Sequence, residues 1–226
     1  MARNTIIVHD SFPFTELSII SLLRKLILYL SLFLSDCSLG FINKTDSYKF
    51  ATSLKNISFL GKHHIVFLPN IFPEFDVSLF SKNSEFCPLK IGLCGSNSSK
   101  KNFTKFVESL LSHNVPVDKI KFVVYGFETS YIRSVIRDSP YQFLIFDSTL
   151  HSFESFASNI NVLACVSFAE GFCRPVAALS QSQIPVLLLN TPTLVEFYSS
   201  SSSSVFFNSI DEISLNINLR IQSLVT

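Results

Sequence analysis

From about Lys90 onward, short apolar runs alternate with stretches whose apolar residues recur at helical spacing. "IGLCGS" predicts a strand ending in a glycine turn. After it, Phe103, Phe106, Val107, Leu110 and Leu111 mark one apolar helix face. "KIKFVVYG" predicts a strand closed by Gly126, and "YIRSVIRD" a helix. "QFLIFD", "NVLACVSF" and "PVLLLN" predict three further strands, with helical "FESFAS" and "RPVAALSQSQ" between them. Strands alternating with helices imply parallel pairing through right-handed crossovers, hence a doubly wound α/β sheet. Ligands of such sheets sit beyond the carboxyl ends of the strands. That rule puts Gly95 to Lys101, Gly126, and Ser167 to Arg174 along one rim.

The first ninety residues follow a sparser pattern. "NTIIVHD" predicts a strand, then comes a long apolar helix from Leu17, then "FINKTDSYKFATSL" as a strand-end turn and a second helix, and "HHIVFLPN" as another strand. "NIFPEFDVSLFSKNSEFCPL" has no periodicity and reads as a connector. The expected organisation is a partial N-terminal lobe over 1–72, a linker over 73–89 and a Rossmann-like domain over 90–226. Two strands do not make an independent domain, so the first piece looks incomplete. The serine run Ser199 to Ser204 reads as a surface loop.

Composition narrows the class. Apolar residues make up 47% and charged residues 15% of the 226, which excludes a disordered chain. A net charge of +1 gives no reason to expect nucleic acid as a partner. No signal-peptide pattern opens the sequence, because His9 and Asp10 interrupt "MARNTIIVHD" before an apolar run develops. Cys37, Cys87, Cys94, Cys165 and Cys173 are odd in number and form no C-x-x-C pair, so reduced thiols in the cytoplasm are expected. His63 and His64 share no metal-ligand spacing with a carboxylate, and no metal site is expected. Within the Leu17 helix, the uncharged piece from Leu26 to Ser35 falls short of the roughly 20 residues of a membrane span. It reads as a core helix, with a basic-tipped helix on a membrane surface as the sharper alternative.

The rim residues suggest a ligand. A helix start leaves backbone N–H groups without intrahelical partners and carries about half a positive charge, which suits phosphate. The amides of Gly171, Phe172 and Cys173 are candidates for it. Glu170 would repel a phosphate it faced, so it fits better as an acceptor for hydroxyl groups beyond. Lys100 and Lys101 stand at another strand-to-helix turn of the rim and supply positive charge. Taken singly, each has an ordinary explanation: Glu170 as a complement to a helix dipole, the lysines as solvated charges, His9 as a strand-end histidine. Amides, a carboxylate and a lysine together suit a nucleotide sugar.

The stretch "SFAEGFCRPVAALSQSQIPVLLLNTPTLVEF" resembles the nucleotide-binding segment of family 4 (group 1) glycosyltransferases, which have the GT-B fold. Their pattern runs Ser-x-x-Glu-Gly-Phe-Gly-x-Pro, a helix, Gly-x-Pro-Val, a strand and then a Glu. Ser167, Glu170, Gly171, Phe172, Pro175, Pro185, Val186 and Glu196 fall in register. "SSKKNF" is similar to the family's Lys-Gly or Lys-Asn turn, "KFVVYG" to its strand ending in Gly, and "VFLPN" and "IIVHDSFP" to segments near the end of its N-terminal domain. The resemblance implies a retaining, metal-independent transfer of sugar from a nucleotide-diphosphate donor to an acceptor hydroxyl, with no cofactor. It assigns His9, Lys101 and Glu170 catalytic roles: charge neutralisation of the leaving diphosphate to Lys101, contacts with sugar hydroxyls to Glu170, and a place across the cleft to His9. Gly95, Lys100, Gly126, Gly171, Phe172, Cys173 and Glu196 would contact the donor. The acceptor would be a glycan, lipid or protein.

The sequence also departs from the family. The second Glu of its two-glutamate motif, which binds ribose, is replaced by Ala178. The glycine after Phe172 is Cys173, the basic residue before the lysine turn is Ser96, and the helix-ending glycine is Gln183. Set against the family, most of the N-terminal domain would precede Met1, and the C-terminal helices would be short. Two functional readings therefore stand: a glycosyltransferase, alone or completed by a second chain, and a degenerate or truncated homologue that binds nucleotide or a partner without transfer. A plain structural α/β domain is the third class, which the retained Glu170, Lys101 and His9 disfavour.

Overall fold

A computed structural model describes residues 4–8, 19–34, 37–45, 65–68, 88–95, 98–168 and 170–223. The chain divides into two compact units. One comprises Met1–Ile71, Ala169–Cys173 and Pro192–Phe197; the other comprises Phe72–Phe168, Arg174–Thr191 and Tyr198–Thr226.

In the first unit, β1 (Asn4–Val8), β2 (Cys37–Phe41) and β3 (Ile65–Phe67) form a parallel sheet in that order. The helix α1 (Ile19–Leu34) is the crossover from β1 to β2. Leu39 and Phe41 of the middle strand are fully buried, as expected of a strand paired on both edges. The second helix expected within 46–54 lies outside the described residues, as do His9, His63 and His64.

The second unit has six parallel strands: β4 (Leu89–Cys94), β5 (Ile120–Tyr125), β6 (Gln142–Phe146), β7 (Val162–Cys165), β8 (Val186–Leu189) and β9 (Ser204–Phe207). Between them in sequence run α2 (Phe103–Ser112), α3 (Ser130–Arg137), α4 (Phe153–Ala157), α5 (Arg174–Leu179) and α6 (Pro192–Tyr198), the last belonging to the first unit up to Phe197, and α7 (Ile210–Ser223) follows β9. The spatial order β6-β5-β4-β7-β8-β9 reverses direction between β4 and β7. It is the doubly wound order whose ligand crevice opens at that reversal.

Local chemistry explains the boundaries. The Thr129 hydroxyl caps α3 by accepting from Ile132 N–H at 3.2 Å, and Ser152 caps α4 by accepting from Ser155 N–H at 3.2 Å. The sequence predicts α5 through Gln183, but the helix stops at Leu179. There the Ser180 and Ser182 hydroxyls donate to the carbonyls of Ala177 and Leu179, a local bond that competes with helix extension. Ser204, the last of the serine run, opens the edge strand β9 rather than closing a loop.

The core of this unit lies between the sheet and the helices α2 and α7. Phe106 stands edge-on to Phe122 at 5.9 Å between ring centroids, and Phe122 edge-on to Tyr141 at 5.6 Å. Of the five predicted face residues of α2, four are buried; Leu111, one step round from Leu110, is 39% exposed. Gly92 of β4 is a close-approach position. A Cβ there would stand 2.7 Å from Ile160 Cδ1 and 3.0 Å from Phe156 Cζ. Below that approach Asn161 pins β7 to β4, its amide oxygen accepting from Lys90 N–H at 2.7 Å and its own N–H donating to the Lys90 carbonyl at 2.9 Å.

Candidate functional site

The reversal between β4 and β7 is where the second unit gathers its candidate residues. β4 ends at Cys94, and Gly95 turns the chain with φ +86°, its N–H donating to the Tyr125 carbonyl at 2.9 Å. A short 3-10 turn, Ser99–Lys101, follows, with the Ser98 hydroxyl accepting from Lys100 N–H at 3.3 Å. The Lys101 side chain then folds back over Gly95. A Cβ on Gly95 would lie 2.7 Å from Lys101 Cε and 3.3 Å from Nζ. The bare glycine backbone thus gives the ammonium its seat at the carboxyl end of a central strand. Lys100 and Lys101 are both half-buried.

Asn102 fixes this seat, and the sequence reading did not single it out. Its backbone is left-handed (φ 56°, ψ 25°) and its side chain is buried. Its amide nitrogen donates to the Val166 carbonyl at 3.0 Å, tying the turn after β4 to the end of β7. Its own carbonyl accepts from Phe106 N–H and so opens α2. Tyr131 is the second missed residue: its hydroxyl accepts from Phe103 N–H, the first amide of α2, at 2.9 Å. The signal for Asn102 was present in "KKNF", an Asn directly before an apolar helix face, a residue type tolerant of left-handed backbone.

Further along the rim, Gly126 N–H donates to the Phe146 carbonyl at 3.0 Å, closing β5 against β6. Next to it, burial first and then the Cys94 and Glu154 side chains push the Tyr125 phenol above its ordinary range. After β6, the Asp147 carboxylate accepts from the Thr149 hydroxyl at 2.6 Å and its N–H at 2.8 Å. These bonds hold Asp147 below the usual carboxylate range. Ser167, at the end of β7, is 1% exposed, and the next residue, Phe168, is well exposed under the Lys105 ammonium, 5.8 Å from its ring centroid.

In the first unit, Glu170 is half-buried, whereas Gly171 and Phe172 are buried. Phe172 packs edge-on against Phe197, 5.0 Å between centroids. Cys173 has φ 54°, the left-handed backbone that a glycine adopts at no cost. The Glu196 carboxylate accepts from Lys44 N–H at 2.7 Å, Thr45 N–H at 3.1 Å and the Thr45 hydroxyl at 2.9 Å. Both of its oxygens are thus engaged by the turn after β2, so in this structure it does structural work there. Ala178, where the family's pattern has its second Glu, is buried within α5.

The structure brings Gly95 and Lys101 together at the reversal. Gly126 and Lys100 stand on neighbouring turns of the same unit. Cys94, Cys165 and Cys173 are thiols. Among the described residues no group of three His, Cys, Asp or Glu side chains is placed to hold a metal ion. No helix among them is long and apolar enough to cross a membrane.

No protein-family model matches the sequence, and comparison with curated proteins finds no match. Comparison with solved structures finds many. The chain is similar in structure to TarM, with a TM-score of 0.67 at 13% identity over 97% of this chain and 43% of that one. It is similar to a UDP-forming α,α-trehalose-phosphate synthase from Burkholderia xenovorans, with a TM-score of 0.63 at 12% identity over 96% of this chain and 60% of that one. It is also similar to the pneumococcal O-GlcNAc transferase GtfA, solved in complex with UDP and GlcNAc, with a TM-score of 0.52 at 15% identity over 82% and 38%. The chain spans less than two thirds of each of these proteins. With its parallel α/β sheets and these neighbours, the chain has the GT-B glycosyltransferase fold, with a partial N-terminal lobe.

Proposed function

We propose that the chain is a retaining glycosyltransferase that moves a sugar from a nucleotide-diphosphate donor to an acceptor hydroxyl without a metal. The observation that carries the reading is the Lys101 ammonium seated over Gly95 at the sheet reversal of a GT-B fold. As the bond between the sugar's anomeric carbon and the diphosphate oxygen breaks, its electron pair goes to the diphosphate. A fixed ammonium stabilises charge that develops there more than it stabilises the ground state. Backbone amides of Gly171, Phe172 and Cys173 are the first unit's proposed donors to phosphate. Glu170 accepts from the donor sugar's hydroxyls and sets its orientation. His9 serves near the acceptor, whose hydroxyl passes its proton to the departing diphosphate oxygen as the new bond forms on the same face of the sugar.

The reading includes a second chain on the acceptor side, as in the solved GtfA/B complex to which the chain is similar in structure. The acceptor is a glycan, lipid or protein, and the protein works in the cytoplasm at the periphery of a membrane. Calorimetric titration of the purified chain with UDP, GDP and ADP tests the donor site. Micromolar binding of one nucleotide, lost in Lys101→Ala with the circular dichroism unchanged, is the expected result. A folded chain that binds none of the three refutes it.

A further inference from the structure

The helix α1 exposes a broad apolar face. Ile19, Ile20, Leu22, Leu23, Leu26, Ile27 and Leu30 are between 48% and 80% exposed, whereas Leu28 is 6% exposed. At about 100° per residue the exposed seven span an arc of roughly 160°, with Leu28 on the opposite side. So Leu28 faces inward, while these seven apolar side chains of α1 face outward. A contiguous face of this kind on a protein surface marks an interaction site.

The charges of α1 select the occupant. Its sequence, IISLLRKLILYLSLFL, contains Arg24 and Lys25 and no acidic residue. Arg24 is exposed and falls about 40° beyond the Ile20 edge of the arc. A guanidinium at that edge can reach headgroup level while the leucines and isoleucines enter the acyl boundary. A second copy of the chain would bring an equally basic helix with no carboxylate to meet Arg24. The helix is 16 residues long, below the roughly 20 needed to span a bilayer, so it would lie in the plane of the surface.

We propose that the apolar face of α1 docks on a bilayer containing anionic lipids, with Arg24 pairing lipid phosphates at its edge. None of the proposed donor-binding residues lies on α1, so the proposal stands or falls separately from sugar transfer. The test is co-sedimentation of the full chain with vesicles of phosphatidylcholine alone and of phosphatidylcholine with phosphatidylglycerol. Tighter binding to the mixed vesicles is expected. Arg24→Ala should lower that affinity about fivefold. The exposed pair Leu23→Ser and Leu26→Ser should lower it about a hundredfold, roughly tenfold for each side chain, with the fold intact. A folded wild-type chain left in the supernatant with both vesicle types overturns the proposal. So does self-association in sedimentation velocity that the serine pair abolishes while vesicles are ignored. Nucleotide titration of the serine variant should match wild type, which separates a failed docking face from a failed donor site.

Discussion

Asn102 offers the sharpest test of how the site is held, because two terms of its stability can be separated at one position. The side chain is buried and donates one hydrogen bond, 3.0 Å, to the Val166 carbonyl. The backbone is left-handed. Replacing Asn102 with Gly keeps the backbone conformation and removes the bond, leaving a carbonyl without that donor at the sheet reversal. That loss is worth about 1–2 kcal/mol. Replacing it with Ala removes the same bond and adds the steric cost of a Cβ in left-handed backbone, about 1 kcal/mol more. The expected order of stability is wild type, then Asn102→Gly, then Asn102→Ala, with a total of about 2–3 kcal/mol. Urea unfolding followed by circular dichroism reads both differences, provided the slopes agree among the three proteins. Equal stability of the Gly and Ala variants would refute the left-handed assignment. A Gly variant as stable as wild type would refute the bond to Val166. Because Asn102 directly follows Lys101, both variants should also weaken binding of UDP, GDP or ADP, whichever the wild type takes.

Other outcomes follow from the same geometry. Gly95→Ala puts a Cβ 2.7 Å from Lys101 Cε at φ +86°; it should displace the lysine and lower nucleotide affinity about tenfold by calorimetry while costing about 1–2 kcal/mol of stability. Cys173→Gly should raise stability by about 0.5–1 kcal/mol, relief of left-handed strain outweighing the added chain entropy, and thermal unfolding at fixed scan rate measures it. Tyr141 donates to the Val115 carbonyl at 3.0 Å, and burial pushes its phenol from 10.0 up to about 12. The raised value favours the neutral phenol in the folded protein, so this stabilisation is complete below pH 10 and is lost as pH rises toward 12. Tyr141→Phe should cost about 1 kcal/mol at pH 7, and the gap between the two proteins in urea should narrow above pH 10.

Much of the fold was legible because alternating strands and helices leave a strong periodic trace. Seven strands were visible as apolar runs, from "NTIIV" to "PVLLL", and α2 as a single apolar face; β2 was not, because "CSLGF" runs on from the apolar end of α1. β9 was hidden because the serine run masks its first residue and only "VFF" carries the apolar signal. The length of α5 was overestimated for a related reason. Serines at 180 and 182 look neutral in a helical pattern, yet their hydroxyls bond back to the helix and end it. At the candidate site, the sequence located the turns after the strands but not the bonds that occupy them. Glu196 stood in register as a donor contact, but only coordinates reveal that its carboxylate holds the backbone at Lys44 and Thr45. Long-range pairing of that kind leaves no periodicity to read.

Two of the positions where the sequence meets or departs from the glycosyltransferase pattern share one backbone property. The turn after β4 matches a Lys-Gly or Lys-Asn motif, and Asn102 there is left-handed at φ 56°. The turn before α5 has Cys173 where the pattern has glycine, and Cys173 is left-handed at φ 54°. Gly and Asn both tolerate that backbone, so either residue of the motif fits the turn, and Asn102 adds its side-chain bond to Val166. By the same logic Cys173 stands in a backbone conformation that glycine would also adopt. It has added a Cβ and a sulfur beside the amides that precede α5, at a steric cost of about 1–2 kcal/mol that the surrounding structure absorbs. The departure therefore bears on the space beside those amides, not on whether the turn forms. Ala178 differs in kind. It is buried among Val176, Ala177 and Leu179, so a glutamate restored there would meet the core before it met a ribose.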